Sequence, residues 1–410
     1  MMSKLNKKKI FNDPIYGFIS INHDIIFDLI EHPYFQRLRR IKQLGLTHLV
    51  FPGALHTRFH HALGTMHLMG KAIETIRSKG HQITDEEAEG VSIAILLHDI
   101  GHGPFSHALE HSIVNGISHE EISTLFMDAL NKEFNGKLDL ALKIFRNKYH
   151  KKFLYQLVSS QLDMDRIDYL KRDSFYTGVS EGVISTDRII TMLNIKNDQL
   201  AIEEKGIYSI EKFIIARRLM YWQVYLHKTV LSAENLCVNI LKRAKELALG
   251  GNELFCTPAL KEFLYKQHDL TSFKNNPKLL ETFAELDDID IMASIKVWKD
   301  HPDKTLNLLC KMMINRNLYK IKLQNNKFDK KEITEHLGKI KTKLKLTGNE
   351  AAYFVFQGSI INNAYNPKMD KINIMLKNGK LLDIKEAADT FNISALTTPV
   401  KKWFLCFPKY

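Results

Sequence analysis

The sequence predicts a mainly α fold, a large helical bundle followed by a smaller mixed α/β C-terminal part. Three observations predict it. Apolar residues recur at helical spacing through most of the first 250 positions. One such segment, ending at His98-Asp99, is wholly apolar over Ile93-Ala94-Ile95-Leu96-Leu97 and belongs at the centre of a bundle. Convincing strand alternation is scarce before residue 350 and appears after it.

The elements follow in order. Residues 1–20 read as a polar arm and a turn at Asn12-Asp13-Pro14, with 19–22 a brief extended piece. The spacing of Ile26, Leu29, Ile30, Leu38, Ile41 and Leu44 predicts two helices, with Pro33 near the start of the second. Residues 57–79 form another helix. Asp85 opens the apolar central helix with acidic first-turn residues, and Gly101 and Gly103-Pro104 end it. Helical patterns continue over 119–132, 136–145, 151–173 and 185–194, and 208–248 reads as one long helix or two in series. Residues 353–356, 372–376 and 403–407 read as strands. The lysine-rich stretch 318–346 reads as a solvated or anion-facing helix surface. Internal repeats and low-complexity linkers are absent from the sequence.

Composition bounds the function. The chain of 410 residues is 45% hydrophobic and 25% charged, ordinary for a globular protein with a sizeable core. A formal charge of +12 favours polyanionic partners such as nucleotides and nucleic acid. Cys237, Cys256, Cys310 and Cys406 form no CxxC pair, which suits reduced thiols inside a cell. The polar start and the lack of a long uncharged apolar run predict a cytoplasmic protein with no membrane partner.

The chemistry centres on His98-Asp99. An ionised carboxylate buried beside an imidazole is costly without compensation, which a divalent cation supplies. Imidazole nitrogen and carboxylate oxygen suit iron, manganese, zinc or magnesium, depending on geometry. His61, in Arg58-Phe59-His60-His61, and Asp165, in Asp163-Met164-Asp165-Arg166, are candidate further ligands from other helices of a bundle. The alternative is a structural His-Asp couple, with Asp163, Asp165 and Asp168 facing solvent. Two helix faces carry further candidates. Asp165, Tyr169 and Asp173 follow at successive fours, and Arg217, Tyr221, Tyr225 and Lys228 at four, four and three. The second stripe suits a nucleotide, or else a snorkelling surface. Arg58 lies one turn from His61. His102 and His107 follow the His-Asp pair in a glycine-rich turn. His119-Glu120, after Ser118, reads as a capped helix start.

The order His … His-Asp … Asp resembles the HD superfamily. The stretches Tyr34-Phe35-Gln36-Arg37-Leu38-Arg39-Arg40, Arg58-Phe59-His60-His61-Ala62-Leu63-Gly64, His98-Asp99-Ile100-Gly101-His102-Gly103-Pro104-Phe105-Ser106-His107 and Asp163-Met164-Asp165-Arg166-Ile167-Asp168-Tyr169 are similar to its deoxynucleoside triphosphate triphosphohydrolases. That group includes a bacterial branch and the sterile-alpha-motif/HD-domain enzymes. The similarity runs with specific motifs from about residue 12 to 228 and more weakly to the C-terminus.

The resemblance implies an HD-domain helical bundle and a division into three. Residues 1–50 would be the arm and regulatory, substrate-proximal helices, 51–250 the metal-dependent core, and 251–410 an α/β region for oligomerisation and regulation. It implies hydrolysis of deoxynucleoside triphosphates to deoxynucleoside and inorganic triphosphate. His61, His98, Asp99 and Asp165 would hold one transition metal (iron, manganese, zinc or nickel), with magnesium on the triphosphate. His107 would protonate the leaving oxygen, His102 would touch the α-phosphate, and His119, Glu120 and Glu110 would orient the active histidine. Substrate would meet Gln43, Leu44, Arg58, Arg166, Tyr169, Asp173, Arg217, Tyr221, Tyr225, His227 and Lys228. Lys9, Glu31, Gln36 and Arg39 fall near the positions where relatives bind an activating GTP or dGTP between subunits, which implies a homo-oligomer, dimer or tetramer; the alternative for Gln36 and Arg39 is an ordinary surface hydrogen-bond pair. Single-stranded nucleic acid is a further partner among relatives. The sequence departs from the pattern at Leu226, Arg166 and Phe175-Tyr176, and because the HD-like motifs start almost at once no sterile-alpha-motif domain is expected before them. The rival readings are another HD phosphohydrolase (a nucleotidase, a cyclic-nucleotide phosphodiesterase or a guanosine tetraphosphate hydrolase) and a nucleic-acid-binding module using 318–346.

Overall fold

A computed structural model describes residues 9–105, 114, 116–362, 364–367, 370–389 and 393–409. The fold is the expected one, mainly helical with a smaller α/β part. Its centre is helix Asp85–Leu97, which Thr84 starts by accepting the Glu87 N–H while the Glu87 carboxylate accepts the Thr84 N–H. From Val91 to Leu97 every residue is buried, so this second half of the helix presents no solvent face, as its apolar run from Ile93 requires. Helix Arg58–Ser78 packs on it and, through its other side, on helix Met164–Thr177. Helix His119–Glu133, capped by Ser118, closes over the turn that follows Leu97.

Two glycines allow these approaches. A Cβ at Gly64 would lie 2.1 Å from Asp168 Oδ1 and 2.2 Å from Arg172 Nη2. A Cβ at Gly101 would lie 2.2 Å from His119 O and from Ser123 N. The bundle therefore brings its metal-type side chains together only because these positions carry hydrogen alone.

The strands are β1 Lys9–Asp13, β2 Gly17–Ile21, β3 Leu193–Lys196, β4 Gln199–Glu203, β5 Lys320–Gln324, β6 Phe356–Asn362, β7 Asn373–Met375, β8 Leu381–Asp383 and β9 Val400–Phe407. β1 and β2 form a hairpin, β3-β4-β7-β8 one sheet and β5-β9-β6 another. β7 runs parallel to β4, so the C-terminal part is stitched into the bundle rather than appended to it.

Several expectations need correction. Strands are not scarce before residue 350, since β1 to β5 all precede it. The β3–β4 hairpin turns at Asn197 and Asp198 with φ of 54° and 57°. Asn and Asp tolerate that left-handed backbone, and this was the missed signal. The second predicted helix shortens to Pro33–Gln36 and a 3-10 turn Arg37–Arg40, and Ile41 is extended because Lys42 bridges to Thr57. Pro33 does take the first helical position. The pattern over 151–173 is two helices, Lys152–Val158 and Met164–Thr177, since Asp163 caps the second by accepting the Arg166 N–H at 2.7 Å. The C-terminal part of 185–194 enters β3. The first late strand begins at Phe356, three residues beyond the expected start, because 351–354 turn under Asn239 and Tyr319, which bond to Tyr353 O. The lysine-rich stretch divides into β5 and helix Lys330–Leu344.

The stretch 208–248 resolves as two helices, Ile207–Met220 and Lys228–Leu249, joined by a π segment Tyr221–Tyr225. The wider turn breaks the single stripe expected of Arg217, Tyr221, Tyr225 and Lys228. His227 caps the second helix by accepting the Thr229 N–H at 3.2 Å.

A buried ionic cluster ties the N-terminus to this frame. Arg172, wholly buried, donates to Asp168 at 2.9 and 3.0 Å and to Asp13 of β1 at 2.8 Å. Burial raises and the Arg172 cation lowers the Asp168 carboxyl, with a net fall to about 2. Replacing Arg172 with Met would leave two buried carboxylates without their cation. We expect a loss of about 3–5 kcal/mol of stability, read as a lower denaturant midpoint; an unchanged midpoint would show the cluster to be energetically neutral.

Candidate metal and phosphohydrolase site

Four side chains from three elements converge where the central helix ends. His61 lies on helix Arg58–Ser78, His98 and Asp99 at the end of helix Asp85–Leu97, and Asp165 in the first turn of helix Met164–Thr177. His61 Nε2 is 3.1 Å from Asp165 Oδ1 and 3.8 Å from Asp99 Oδ2. His98 Nε2 is 3.4 Å from Asp99 Oδ1 and 3.6 Å from Asp165 Oδ1. His61 is fully buried and Asp99 is nearly so.

The rest of each ring is already engaged. His61 Nδ1 faces Asp168 Oδ2 at 2.7 Å, and His98 Nδ1 faces the Ile95 carbonyl at 2.6 Å. These acceptors place the hydrogen on Nδ1 and leave the Nε2 lone pairs pointing at two carboxylates. Both Nε2 atoms are buried and make no hydrogen bond. Two orphaned lone pairs and two carboxylates at one interior point fit a divalent cation, and His61, His98 and Asp99 lie close enough together to hold one. Electrostatics agree. With no cation present, burial works to lower the His61 imidazole, but Asp165 and Asp168 outweigh it and raise it to about 10, so a metal at this point would take the place of a proton on Nε2. Burial likewise works to raise Asp165, but His61 and His98 hold it far below the usual carboxylate range. The locus stabilises positive charge strongly, a demand that a metal answers. The solvent-facing alternative for the acidic residues fails, since Asp163 and Asp168 are wholly buried.

A second histidine pair borders the first group. The His102 and His119 rings stack at 3.8 Å, with His102 Nε2 3.4 Å from Asp99 Oδ1. Asp99, His102 and His119 could also share a cation. Burial and the Arg58 cation push His102 down to about 3, so its imidazole is neutral at pH 7. Arg58 donates to Asp99 Oδ2. Glu120 is largely exposed and lies 3.7 Å from His119 Nε2. His107 and Glu110 fall outside the described residues.

These groups open onto a cavity of about 530 Å³. Gln43, Leu44, Arg58, Asp99, His102, His119 and Asp165 line it, as do Arg166, Tyr169, Asp173, Arg217, Tyr221 and Tyr225. The aromatic set is preorganised. Tyr225 donates to Asp173 Oδ2 at 2.7 Å, His56 Nε2 meets Asp173 Oδ1 at 2.8 Å, and the Tyr169 and Tyr221 rings stand edge-on to Tyr225. Arg166 pairs with Asp163 at 2.6 Å, and Arg217 donates to Gln161 Oε1 at 3.3 Å. His227 and Lys228 are not among the lining residues, although Leu231 and Glu234 of the same following helix are. Of the proposed activator residues, Lys9 pairs with Glu31, and Arg39 donates to Gln36 at 2.8 Å while lying over the Phe59 ring; none lines the cavity.

Sequence reasoning missed three supports. Asp168 orients His61, Arg172 holds Asp168, and Arg37 donates to the Ile100 and His102 carbonyls at 3.0 and 2.8 Å. Arg37 is wholly buried against the Phe126 and Phe283 rings, and burial lowers it to about 9. It fixes the turn carrying Asp99 and His102.

Comparison with known proteins agrees with this geometry. Residues 58–173 match the HD domain family and 184–254 the HD associated region. The chain belongs to the HD-domain phosphohydrolases. A phosphohydrolase of Bacteroides thetaiotaomicron, known as a crystal structure, is 54% identical with a TM-score of 0.95, over 98% of this chain and 100% of that one. The uncharacterized protein YwfO of Bacillus subtilis is 33% identical over 93% of this chain and 88% of its own. The deoxynucleoside triphosphate triphosphohydrolase SAMHD1 homolog of Dictyostelium discoideum is 31% identical, over 78% of this chain and 60% of that protein. Among the described residues no helix is long and apolar enough to cross a membrane.

Asp168→Asn would remove the anion that aims His61. We expect bound divalent metal to weaken by about 10–100-fold, measured by metal titration and elemental analysis; wild-type affinity would exclude the orienting role.

Proposed function

We propose that this HD-domain phosphohydrolase hydrolyses deoxynucleoside triphosphates at the α-phosphate. The observation that carries the reading is one cavity lined by two chemically distinct sets of residues. Asp99 and Asp165 of the metal-type group line it together with Tyr169, Tyr221, Tyr225 and Asp173, and so do Arg58, which bonds to Asp99, Arg166, and Arg217, which lies over the Tyr221 ring. Its volume of about 530 Å³ lies in the range of small-ligand sites. The relatives named as deoxynucleoside triphosphate triphosphohydrolases support the substrate class.

His61, His98, Asp99 and Asp165 would hold a divalent transition metal, which when bound polarises phosphate oxygen and lowers the pKa of water; magnesium would accompany the triphosphate. Arg58, Arg166 and Arg217 neutralise and align the phosphates. A water oxygen bonds to the α-phosphorus as the bond to the sugar 5′-oxygen breaks. That oxygen takes a proton, which the resemblance assigns to His107. His102, neutral at pH 7, offers the α-phosphate a hydrogen bond, and His119 stacks behind it. Tyr169 packs under the deoxyribose where a 2′-hydroxyl would clash, Asp173 accepts from the 3′-hydroxyl, and Gln43 and Leu44 flank the sugar. Activation by a guanine nucleotide at Lys9, Glu31, Gln36 and Arg39, with oligomer formation, completes the reading.

The test is incubation with each deoxynucleoside triphosphate and magnesium, manganese or ferrous ion, with and without GTP. Deoxynucleoside and inorganic triphosphate are the expected products. Release of pyrophosphate or single phosphates would point instead to another HD hydrolase. Arg58→Ala should lower kcat by about 10²–10³-fold. Tyr169→Ala should narrow the preference for deoxyribose over ribose by about ten-fold or more, read as the ratio of kcat/KM for paired substrates; an unchanged ratio would remove Tyr169 from sugar selection.

A further inference from the structure

One wall of the cavity joins Phe105 to residues 43–45, a segment anchored on its other side by the Arg58 N–H to Ile41 O and the Gln43 N–H to His56 O. Phe105, Gln43, Leu44 and Gly45 line it, and an ideal Cβ on Gly45 would lie 3.8 Å from Phe105 Cα, an ordinary van der Waals contact. What joins them is a carboxylate from far along the chain. Asp288, at the first position of helix Asp288–Trp298, is 2% exposed. Its Oδ1 accepts the Phe105 N–H at 3.0 Å, and its Oδ2 accepts the Lys42 N–H at 3.1 Å and Lys42 Nζ at 3.4 Å. The neighbouring Asp287 caps the same helix and pairs with Arg40, so two adjacent carboxylates grip the segment entering the wall.

The conformation at Phe105 shows that the grip matters. Its φ is 48°, in the left-handed region that a bulky residue keeps only where its surroundings hold it. Asp288 does not itself line the cavity, and it lies beyond both family-matched regions, which end at residues 173 and 254. Burial raises the Asp288 carboxyl, opposed by the Lys42 N–H, the Lys42 ammonium and the Phe105 N–H that it accepts from.

We infer that Asp288 is a positioning residue of the hydrolase site, tying Phe105 and residues 42–45 into one wall from outside the cavity. The substrate side of this inference rests on the proposed deoxynucleotide reading; the tie itself does not. Asp288→Ala and Asp288→Asn should be compared with the full wild-type chain for metal content, steady-state kinetics and amide hydrogen exchange. In Asp288→Ala the Phe105 and Lys42 amides should exchange about ten-fold faster. KM for the deoxynucleotide should rise about ten-fold with kcat and metal content little changed. A merely structural residue would instead lower the active fraction and leave KM alone. Asp288→Asn keeps one acceptor oxygen and should fall between, with faster exchange at one of the two amides. Unchanged exchange at both amides in either variant overturns the inference, and so does an unchanged KM in a folded Asp288→Ala. If Asp288→Ala does not fold, Asp288→Asn decides by the same exchange readout. If the wild type hydrolyses no deoxynucleotide, the substrate reading fails while the exchange measurement still judges Asp288.

Discussion

Two imidazole lone pairs and two carboxylates held inside an apolar bundle are the constraint on which the rest of the molecule depends. His61 Nε2 and His98 Nε2 make no hydrogen bond although both are buried. An arrangement so costly in the absence of positive charge persists only where the surroundings over-determine it. The surroundings do. Ile95 O and Asp168 fix the two rings, Arg172 fixes Asp168 and is itself held by Asp13, and Arg37 fixes the turn after Asp99. Much of the polar core is scaffold for one small electrostatic demand.

The scaffold explains the division between rigid and adaptable parts of the cavity. The charged set is locked by paired groups in three helices. The aromatic set hangs on a π segment, where Tyr221 and Tyr225 meet edge-on and Tyr225 reaches Asp173. A wide turn at a ligand wall is a recurrent way to redirect side chains without ending a helix. Here it brings two tyrosines to the cavity and leaves His227 to cap the helix that follows.

The legible part of this design is the part written in local pattern. The run from Ile93 to Leu97 ending in His98-Asp99 announces a buried charge, and the succession Asp165, Tyr169, Asp173 announces a shared helix face; all three line the cavity. The illegible part is written in partners far apart. Asp168 reads as a solvent-facing acid until His61 and Arg172 surround it, 107 residues away in one case. Arg37 reads as one basic residue among several until it is seen against Phe126 and Phe283. Hairpins whose turns depend on Asn197-Asp198, and helices cut short by a cap such as Asp163, were obscured because apolar spacing alone carries no record of where the backbone changes hand or finds an acceptor.

The bond between Asp288 and Phe105 spans 183 residues of sequence. A ribosome adding roughly 5–20 residues per second takes on the order of 10–40 s to cover that stretch. Phe283, against which Arg37 packs, is made at the end of the same stretch, so the turn that carries Asp99 and His102 and the wall beside it receive their last supports together, late in synthesis.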